Sequence, residues 1–399
     1  MRPRTFMVVA GEPSGDWLAA ELVKELRDML GAGPPLFTTD YQPLHASLAP
    51  RFFGAGGPLM EKAGVELLFD LTRHSVIGIS EVMAKYFEFR RMLNRLRAAA
   101  RQREPDAIIC VDFSGFNRRL ASAVRADTRK RDWFHDWQPR IIQYVSPQVW
   151  ASREGRVYQM ARVYDLVLSI FPFEEEWYAR KAPRMKVKFI GDPMVDRYGI
   201  QRHRAAEPQI PPVLLLLPGS RPGELRRHVP VMLRALELVR NHIPEARAVM
   251  VLPNEELARQ AKALGTGGSV EVQVAGLLDR LQTADAAISS TGTVTRDCAY
   301  FGVPTVALYK TSLSTYQLGK RLVKVKFLAM PNLLANEAVF PEFIQDDASP
   351  EKIAAAALGL IENRELREAT LEKLSKIAAS LGPPGASRRA AREILDLLG

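Results

Sequence analysis

Twice in this chain an uninterrupted apolar run breaks on a small polar turn and passes at once into a helix. Thr5–Ala10 leads into Gly11-Glu12-Pro13-Ser14-Gly15-Asp16, and Val213–Leu217 leads into Pro218-Gly219-Ser220-Arg221. Short apolar runs bounded by turn residues read as strands buried on both faces. Such strands belong to parallel sheets covered by helices. The alternation repeats. Ala107–Val111, Ile141–Val145, Leu166–Ile170 and Val187–Ile190 extend a first series, and Ala248–Leu252, Ala286–Ser289 and Thr305–Leu308 a second. Asp16–Leu30 carries Leu18, Leu22, Leu26 and Leu30 at helical spacing, Glu224–Asn241 reads as a helix, and the chain beyond Pro350 is helical. Between the series, Asp196–Pro212 is polar, basic and Pro-terminated, as a linker is. The expected fold class is α/β, with two doubly wound Rossmann-like domains facing a cleft. The expected divisions are 1–200, 201–370 and a C-terminal helical segment 371–399 that packs back on the first domain.

Composition narrows the class. Hydrophobic residues make up 47% and charged residues 25%, enough apolar material for folded cores, so disorder is excluded as the main state. No apolar run approaches the ~18 residues of a membrane-spanning helix. The first strand is cut off by Gly11-Glu12-Pro13 too early for a secretory leader, so the expected location is cytoplasmic. Lys+Arg 55 against Asp+Glu 45 gives a formal net charge of +10, a field that favours anionic partners. Cys110 and Cys298 sit in apolar stretches and form neither a disulfide framework nor a zinc motif. The histidines show no metal-ligand spacing, and no P-loop or G-x-S-x-G elbow is present. No metal site and no nucleic-acid partner are expected.

Ligands of doubly wound folds bind beyond the carboxyl ends of the strands. Four segments stand there. Gly11–Asp16 offers a tight turn and a helix start, but its carboxylates, Glu12 and Asp16, suit sugar hydroxyls or proton transfer better than phosphate. The plainer reading is a helix start capped by Ser14 or Asp16. Leu217–Arg221, with Glu224 three residues on, joins backbone donors to a guanidinium. That combination holds a diphosphate and stabilises its charge as it leaves. Ser289–Asp297 brings Thr291, Gly292 and Thr293 after another strand, with Asp297 placed to accept from ribose hydroxyls; a polar helix cap is the alternative. Tyr144–Trp150 follows a fourth strand.

Two stretches mix basic and apolar residues, as helices at an anionic membrane surface do, and as core-facing helices with solvated faces also do. One is Glu81–Arg103. The other carries Lys310, Lys320, Arg321, Lys324 and Lys326 among Tyr316, Leu322, Val323 and Phe327. Gly31–Arg51 and Arg125–Arg140 read as surface loops.

Together these segments resemble the lipid-A-disaccharide synthases, a glycosyltransferase family. The shared pieces are Gly11–Asp16, Gly54–Met60, Ser75–Val82, Tyr144–Trp150, Phe171–Glu174, Leu217–Arg221 with Glu224, Thr291–Thr293, Lys320–Lys324 and Pro331–Ala335. The resemblance implies a GT-B fold and an inverting transfer of 2,3-diacylglucosamine from UDP to the 6-hydroxyl of 2,3-diacylglucosamine 1-phosphate. It implies no cofactor, and work at the inner face of the cytoplasmic membrane. Gly219, Ser220, Arg221, Glu224, Thr291, Gly292, Thr293 and Asp297 would hold the UDP. Ser14, Asn117, Ser146, Gln148 and Asn332 would hold sugar or acceptor. The sequence departs from the family where the family's second Asp of Asp-x-Pro-Asp-Phe-Asn, its candidate base, is Gly115. Asp112, Glu12 and Asp16 are the candidates left for that work, with Glu81 behind them, and Arg221 the candidate for the leaving group. Asp192 stands where His is usual, and Asn336-Glu337 replace Gly-Arg. Two other readings stay open: a paralogue with another nucleotide-sugar or acceptor, and a homologue that binds nucleotide or lipid without catalysis.

Overall fold

The uninterrupted apolar runs become the middle strands of two parallel sheets. The computed structural model describes residues 2–31, 49–72, 82–129, 136–199, 207–266 and 268–399. The chain divides into two units, Met1–Gly199 with Leu381–Gly399, and Ile200–Ser380.

The first unit holds β1 (Thr5–Ala10), β2 (Arg51–Gly56), β3 (Glu66–Asp70), β4 (Ala107–Val111), β5 (Arg140–Tyr144), β6 (Leu166–Ser169) and β7 (Val187–Phe189). Their order is β3-β2-β1-β4-β5-β6-β7. β1 and β4 lie side by side, with Ala10 opposite Val111, so the segments after them emerge together. Every residue of β4 is buried. β2 and β3 do not show in the apolar pattern. β2 contains two glycines, and β3, at the sheet edge, has no fully buried residue.

The second unit holds β8 (Val213–Leu217), β9 (Arg247–Leu252), β10 (Glu271–Val274), β11 (Ala286–Ser290), β12 (Thr305–Tyr309) and β13 (Glu342–Ile344), in the order β10-β9-β8-β11-β12-β13. The helices Pro222–His242 and Pro350–Glu362 cover one face. Leu225, Val229, Met232 and Leu236 of the first join Ile353, Ala357 and Leu360 of the second in a single core. Burying such side chains is worth ~1.5–3 kcal/mol each.

Several element ends shift by a residue or two, and three further differences have a physical reason. The first helix is Pro13–Met29, with Glu12 rather than Ser14 or Asp16 at its cap position. Asp196 is not linker: it lies in the helix Pro193–Tyr198, and its carboxylate accepts from the N–H groups of Gly385 and Ser387. The chain returns to the first unit after Ser380, later than residue 370. The helix Arg364–Ser380 stays with the second unit because Leu374 and Ile377 are buried there and Arg367 donates to the Asp285 carbonyl at 2.8 Å. The last helix, Ala386–Leu398, packs on Pro13–Met29.

Candidate functional site

In the second unit, β8 and β11 are neighbours, with Leu217 opposite Ser289. The turn after β8 needs its glycine. Gly219 has φ 115°, and a Cβ there would lie 2.3 Å from Glu224 Oε2. That oxygen accepts from the N–H groups of Ser220 at 3.0 Å and Arg221 at 3.2 Å. Glu224 therefore shapes the turn. The Arg221 side chain is 81% exposed at the start of the helix Pro222–His242, where the helix dipole also favours an anion. After β11 a second turn forms: Gly292 N–H donates to Ser290 O at 2.8 Å, and Thr295 Oγ1 to Gly292 O at 2.8 Å. Asp297 lies in the first turn of the helix Val294–Tyr300.

Gly219, Ser220, Arg221, Glu224, Thr291, Gly292, Thr293 and Asp297 all line one cavity of about 1120 Å³. Its other walls come from the ends of further strands: Leu252 and Pro253 at the end of β9, Ala275 and Leu277 after β10, Tyr309 at the end of β12, and Thr311, Lys320 and Lys326 beyond it. The strand-end rule points to the β9 and β12 contributions. The β10 contribution was hidden because Glu-Val-Gln-Val carries no apolar run.

Asn332 is corrected from a substrate contact to an internal clamp. It is fully buried. Its Oδ1 accepts from Val339 N–H at 2.9 Å and Phe340 N–H at 2.7 Å, and its Nδ2 donates to Phe340 O and Glu342 Oε1, both at 2.8 Å. Lys310 leaves the basic patch likewise, since its Nζ donates to Gln345 O at 2.7 Å.

In the first unit the segments after β1 and β4 meet. The ring of Phe113 fills the space beside Gly11, where a Cβ would come within 2.2 Å of it. Glu12 and Ser14 are exposed at the opening of the helix Pro13–Met29. Asp112 and Phe113 both take left-handed backbone, φ 45° and 41°. Such strain at non-glycine residues persists only where the surroundings fix it, and it concentrates at functional sites. Here the Asp112 carbonyl accepts from Asn117 Nδ2 at 2.9 Å and Gln143 Nε2 at 3.2 Å, and its N–H donates to Tyr144 O at 2.9 Å. Asn117, expected to contact substrate, is fully buried and instead holds this corner. Gly115 is exposed, and a Cβ there would meet nothing within 4 Å.

Asp16 is also corrected. It is 2% exposed, and its carboxylate accepts from the N–H groups of Gly57 at 2.8 Å, Leu59 at 2.9 Å and Met60 at 3.0 Å. It fastens the start of the helix Pro58–Lys62 and is not placed for proton transfer. Asp192 belongs to this unit and caps the helix Pro193–Tyr198 through Met194 N–H. Gln148 is exposed; the Ser146 hydroxyl is buried 2.9 Å from Tyr178 Oη. Beneath them lies Glu174, fully buried, accepting from Trp150 Nε1 at 2.8 Å and Ser169 Oγ at 2.5 Å. Burial pushes its pKa up to about 7 against these hydrogen bonds. Glu81, with residues 75–81 of the shared Ser75–Val82 segment, lies outside the described residues, as do residues 32–48 and 130–135 of the two loops. Arg125 and Trp137, read as loop, are tied in: Arg125 pairs with Asp165, and Trp137 Nε1 donates to Pro105 O at 2.9 Å.

The helix Val82–Arg103 buries Met92, Leu96 and Ala100 along one stripe. Arg97 pairs with Asp127 and Arg103 with Glu66, so part of its basic face is internal to the unit. Phe87, Arg90 and Arg91 remain exposed. Among the described residues no helix is long and apolar enough to cross a membrane, and no group of His, Cys, Asp and Glu side chains gathers to hold a metal.

Residues 6–393 match the family described as lipid-A-disaccharide synthetase. A lipid-A-disaccharide synthase of Geobacter sulfurreducens is 36% identical over 98% of this chain and 97% of its own length. That of Myxococcus xanthus is 35% identical over 99% and 98%. Among solved structures, the UDP-GlcNAc 2-epimerase of Neisseria meningitidis bound to UDP-GlcNAc aligns with TM-score 0.62 at 12% identity, covering 99% of this chain and 100% of that one. The calicheamicin glycosyltransferase CalG4 aligns with TM-score 0.59 at 15% identity, covering 100% and 99%. At such identities these two establish the fold alone, which is of the GT-B type.

Proposed function

This chain belongs to the lipid-A-disaccharide synthetase family and is a glycosyltransferase of lipid A synthesis, and we propose how its residues perform the transfer. The reaction moves 2,3-diacylglucosamine from UDP-2,3-diacylglucosamine to the 6-hydroxyl of 2,3-diacylglucosamine 1-phosphate. The acceptor oxygen attacks the anomeric carbon, the bond from that carbon to UDP breaks, and UDP leaves with the electron pair. The configuration inverts to a β-1,6 disaccharide.

The cavity of the second unit takes UDP. The single observation that carries this is the convergence of both turns, with Arg221 and Asp297, on one space. Arg221 and the N-terminus of its helix stabilise the diphosphate as charge develops on it. Lys320 and Lys326 add positive charge to the same lining.

Asp112 accepts the proton of the acceptor hydroxyl in the absence of the family's carboxylate at Gly115. Its strained backbone, held by Asn117 and Gln143, supports this role. Glu12 and Ser14, on the adjoining segment, bind acceptor hydroxyls. The exposed Phe87, Arg90 and Arg91 lie at an anionic membrane surface, from which the acylated substrates enter.

The test is UDP release from UDP-2,3-diacylglucosamine with and without the acceptor, with the product weighed by mass spectrometry. Acceptor-dependent release with a disaccharide product is expected. Release without an acceptor, or none from a chain that binds UDP, would sink this assignment. For the surface claim, reversing Arg90 and Arg91 to Glu should abolish flotation with anionic vesicles; unchanged flotation removes it.

A further inference from the structure

His228 lies in the helix Pro222–His242, behind the turn that carries Arg221, and is fully buried. Its Nδ1 is 2.7 Å from the carbonyl oxygen of Pro218. A carbonyl only accepts, so Nδ1 carries a proton. Its Nε2 accepts from the backbone N–H of Lys310 at 3.0 Å. One neutral imidazole thus joins the residue before Gly219 to the residue after β12. Pro218 leads into the turn Gly219-Ser220-Arg221. Lys310 leads into Thr311 and on to Lys320, on another wall of the same cavity. The far end of this strut is itself fixed: Lys310 Nζ donates to Gln345 O at 2.7 Å, and Thr311 N–H to Gln345 Oε1 at 2.6 Å.

We infer that His228 is a positioning residue for the nucleoside diphosphate. It sets the spacing between the turn bearing Arg221 and the wall bearing Thr311 and Lys320. This rests on reading the cavity as the UDP site. His228 touches no substrate in this account and acts through Pro218 and Lys310.

The arrangement needs the neutral ring. Burial lowers the pKa of His228; the Pro218 carbonyl and Glu224 work against that, and Arg227 adds to it. The Lys310 ammonium is engaged with Gln345 O. Protonated Nε2 no longer accepts from Lys310 N–H. Its new proton faces the Lys310 carbonyl oxygen at 3.2 Å instead, and the wall shifts. Acidification therefore weakens UDP binding through this residue.

The experiment is calorimetric titration of the full chain with UDP from pH ~8 down to ~4, below the ordinary histidine range because burial lowers this one. Wild type, His228→Phe and His228→Gln are compared, each with its melting temperature. His228→Phe leaves buried Pro218 O and Lys310 N–H without a partner, and UDP affinity should fall roughly tenfold. His228→Gln keeps a donor and an acceptor, so it should recover part of that loss and flatten the fall in affinity on acidification. Wild-type affinity in both variants, whatever their melting temperatures, overturns the inference. If His228→Phe does not fold, an unchanged acid dependence in His228→Gln overturns it alone. A wild-type chain that does not bind UDP overturns the donor-site reading, and this inference with it.

Discussion

After β8 the chain turns on a glycine; after β4 it turns on an aspartate and a phenylalanine. Gly219 takes φ 115° at no steric cost, and Glu224 braces the turn from its own helix. Asp112 and Phe113 take φ 45° and 41°, conformations costing about 1–3 kcal/mol each, and Asn117 of the following helix and Gln143 of β5 hold the corner. The first turn, proposed to bind the diphosphate, is written in local sequence. The second holds the backbone of Asp112, the residue proposed to take the acceptor's proton, in one strained conformation. The contrast teaches where this family member has been altered. The turn proposed to hold UDP keeps the residues of the shared motif, while the segment proposed to serve the acceptor has Gly115 where the family's candidate base stands and carries Asp112 on a strained backbone.

Mutations on either side should separate binding from proton transfer. Arg221→Ala should lower turnover by roughly 10²–10³-fold, the scale of removing one donor to developing charge. Unchanged turnover would leave the diphosphate to other groups. Gly115→Asp meets no steric obstacle. It should raise turnover roughly tenfold by restoring a second candidate base, with UDP affinity unchanged; the gain falls short of the ~10²–10⁴-fold of a sole general base because Asp112 is proposed to serve already. No gain in a folded variant would mean that proton removal does not limit the rate.

Smaller effects concern the supports. Asp16→Ala strips three backbone N–H groups of their acceptor, so the melting temperature should fall, by about 1–3 kcal/mol of stability, with UDP affinity unaffected. A chemical role for Asp16 would instead appear as lost turnover at unchanged stability. Glu174 gives the mildest signal. Burial pushes its carboxyl up to about 7, above the ordinary glutamate value of 4.5. The native state therefore holds a proton there that the unfolded chain has lost. Its contribution is complete below the unfolded pKa and disappears as pH rises through about 7. Thermal unfolding across that window should show stability falling with pH, and Glu174→Gln should flatten the slope. An identical slope in the variant would assign the dependence to other groups.

The sequence revealed the parts of this molecule whose physics is local. Thr5–Ala10, Ala107–Val111 and Val213–Leu217 are strands at their expected limits because an apolar run buried on both faces has little else to do. β2, with its two glycines, and β10 and β13, with polar or very short strands, depend on neighbours for their pairing and left no such mark. The residues of the two turns after β8 and β11 were legible for the same local reason, and they line one cavity. Asp16, Asn117 and Asn332 were misread. A polar residue in a shared motif looks the same whether it faces substrate or three backbone amides from another segment. Only burial and partners, such as Gly57 for Asp16 or Phe340 for Asn332, tell them apart. His228 left no motif at all, since its two partners lie ten residues back and 82 residues ahead.

The most direct test is the single-turnover rate of Asp112→Asn with both substrates saturating, beside its UDP affinity. The expected rate is lower by roughly 10²–10⁴-fold, the contribution of a general base, with UDP bound as in the wild type. A folded Asp112→Asn chain that makes disaccharide at the wild-type rate would contradict it, and proton removal would pass to Glu12 or to another group.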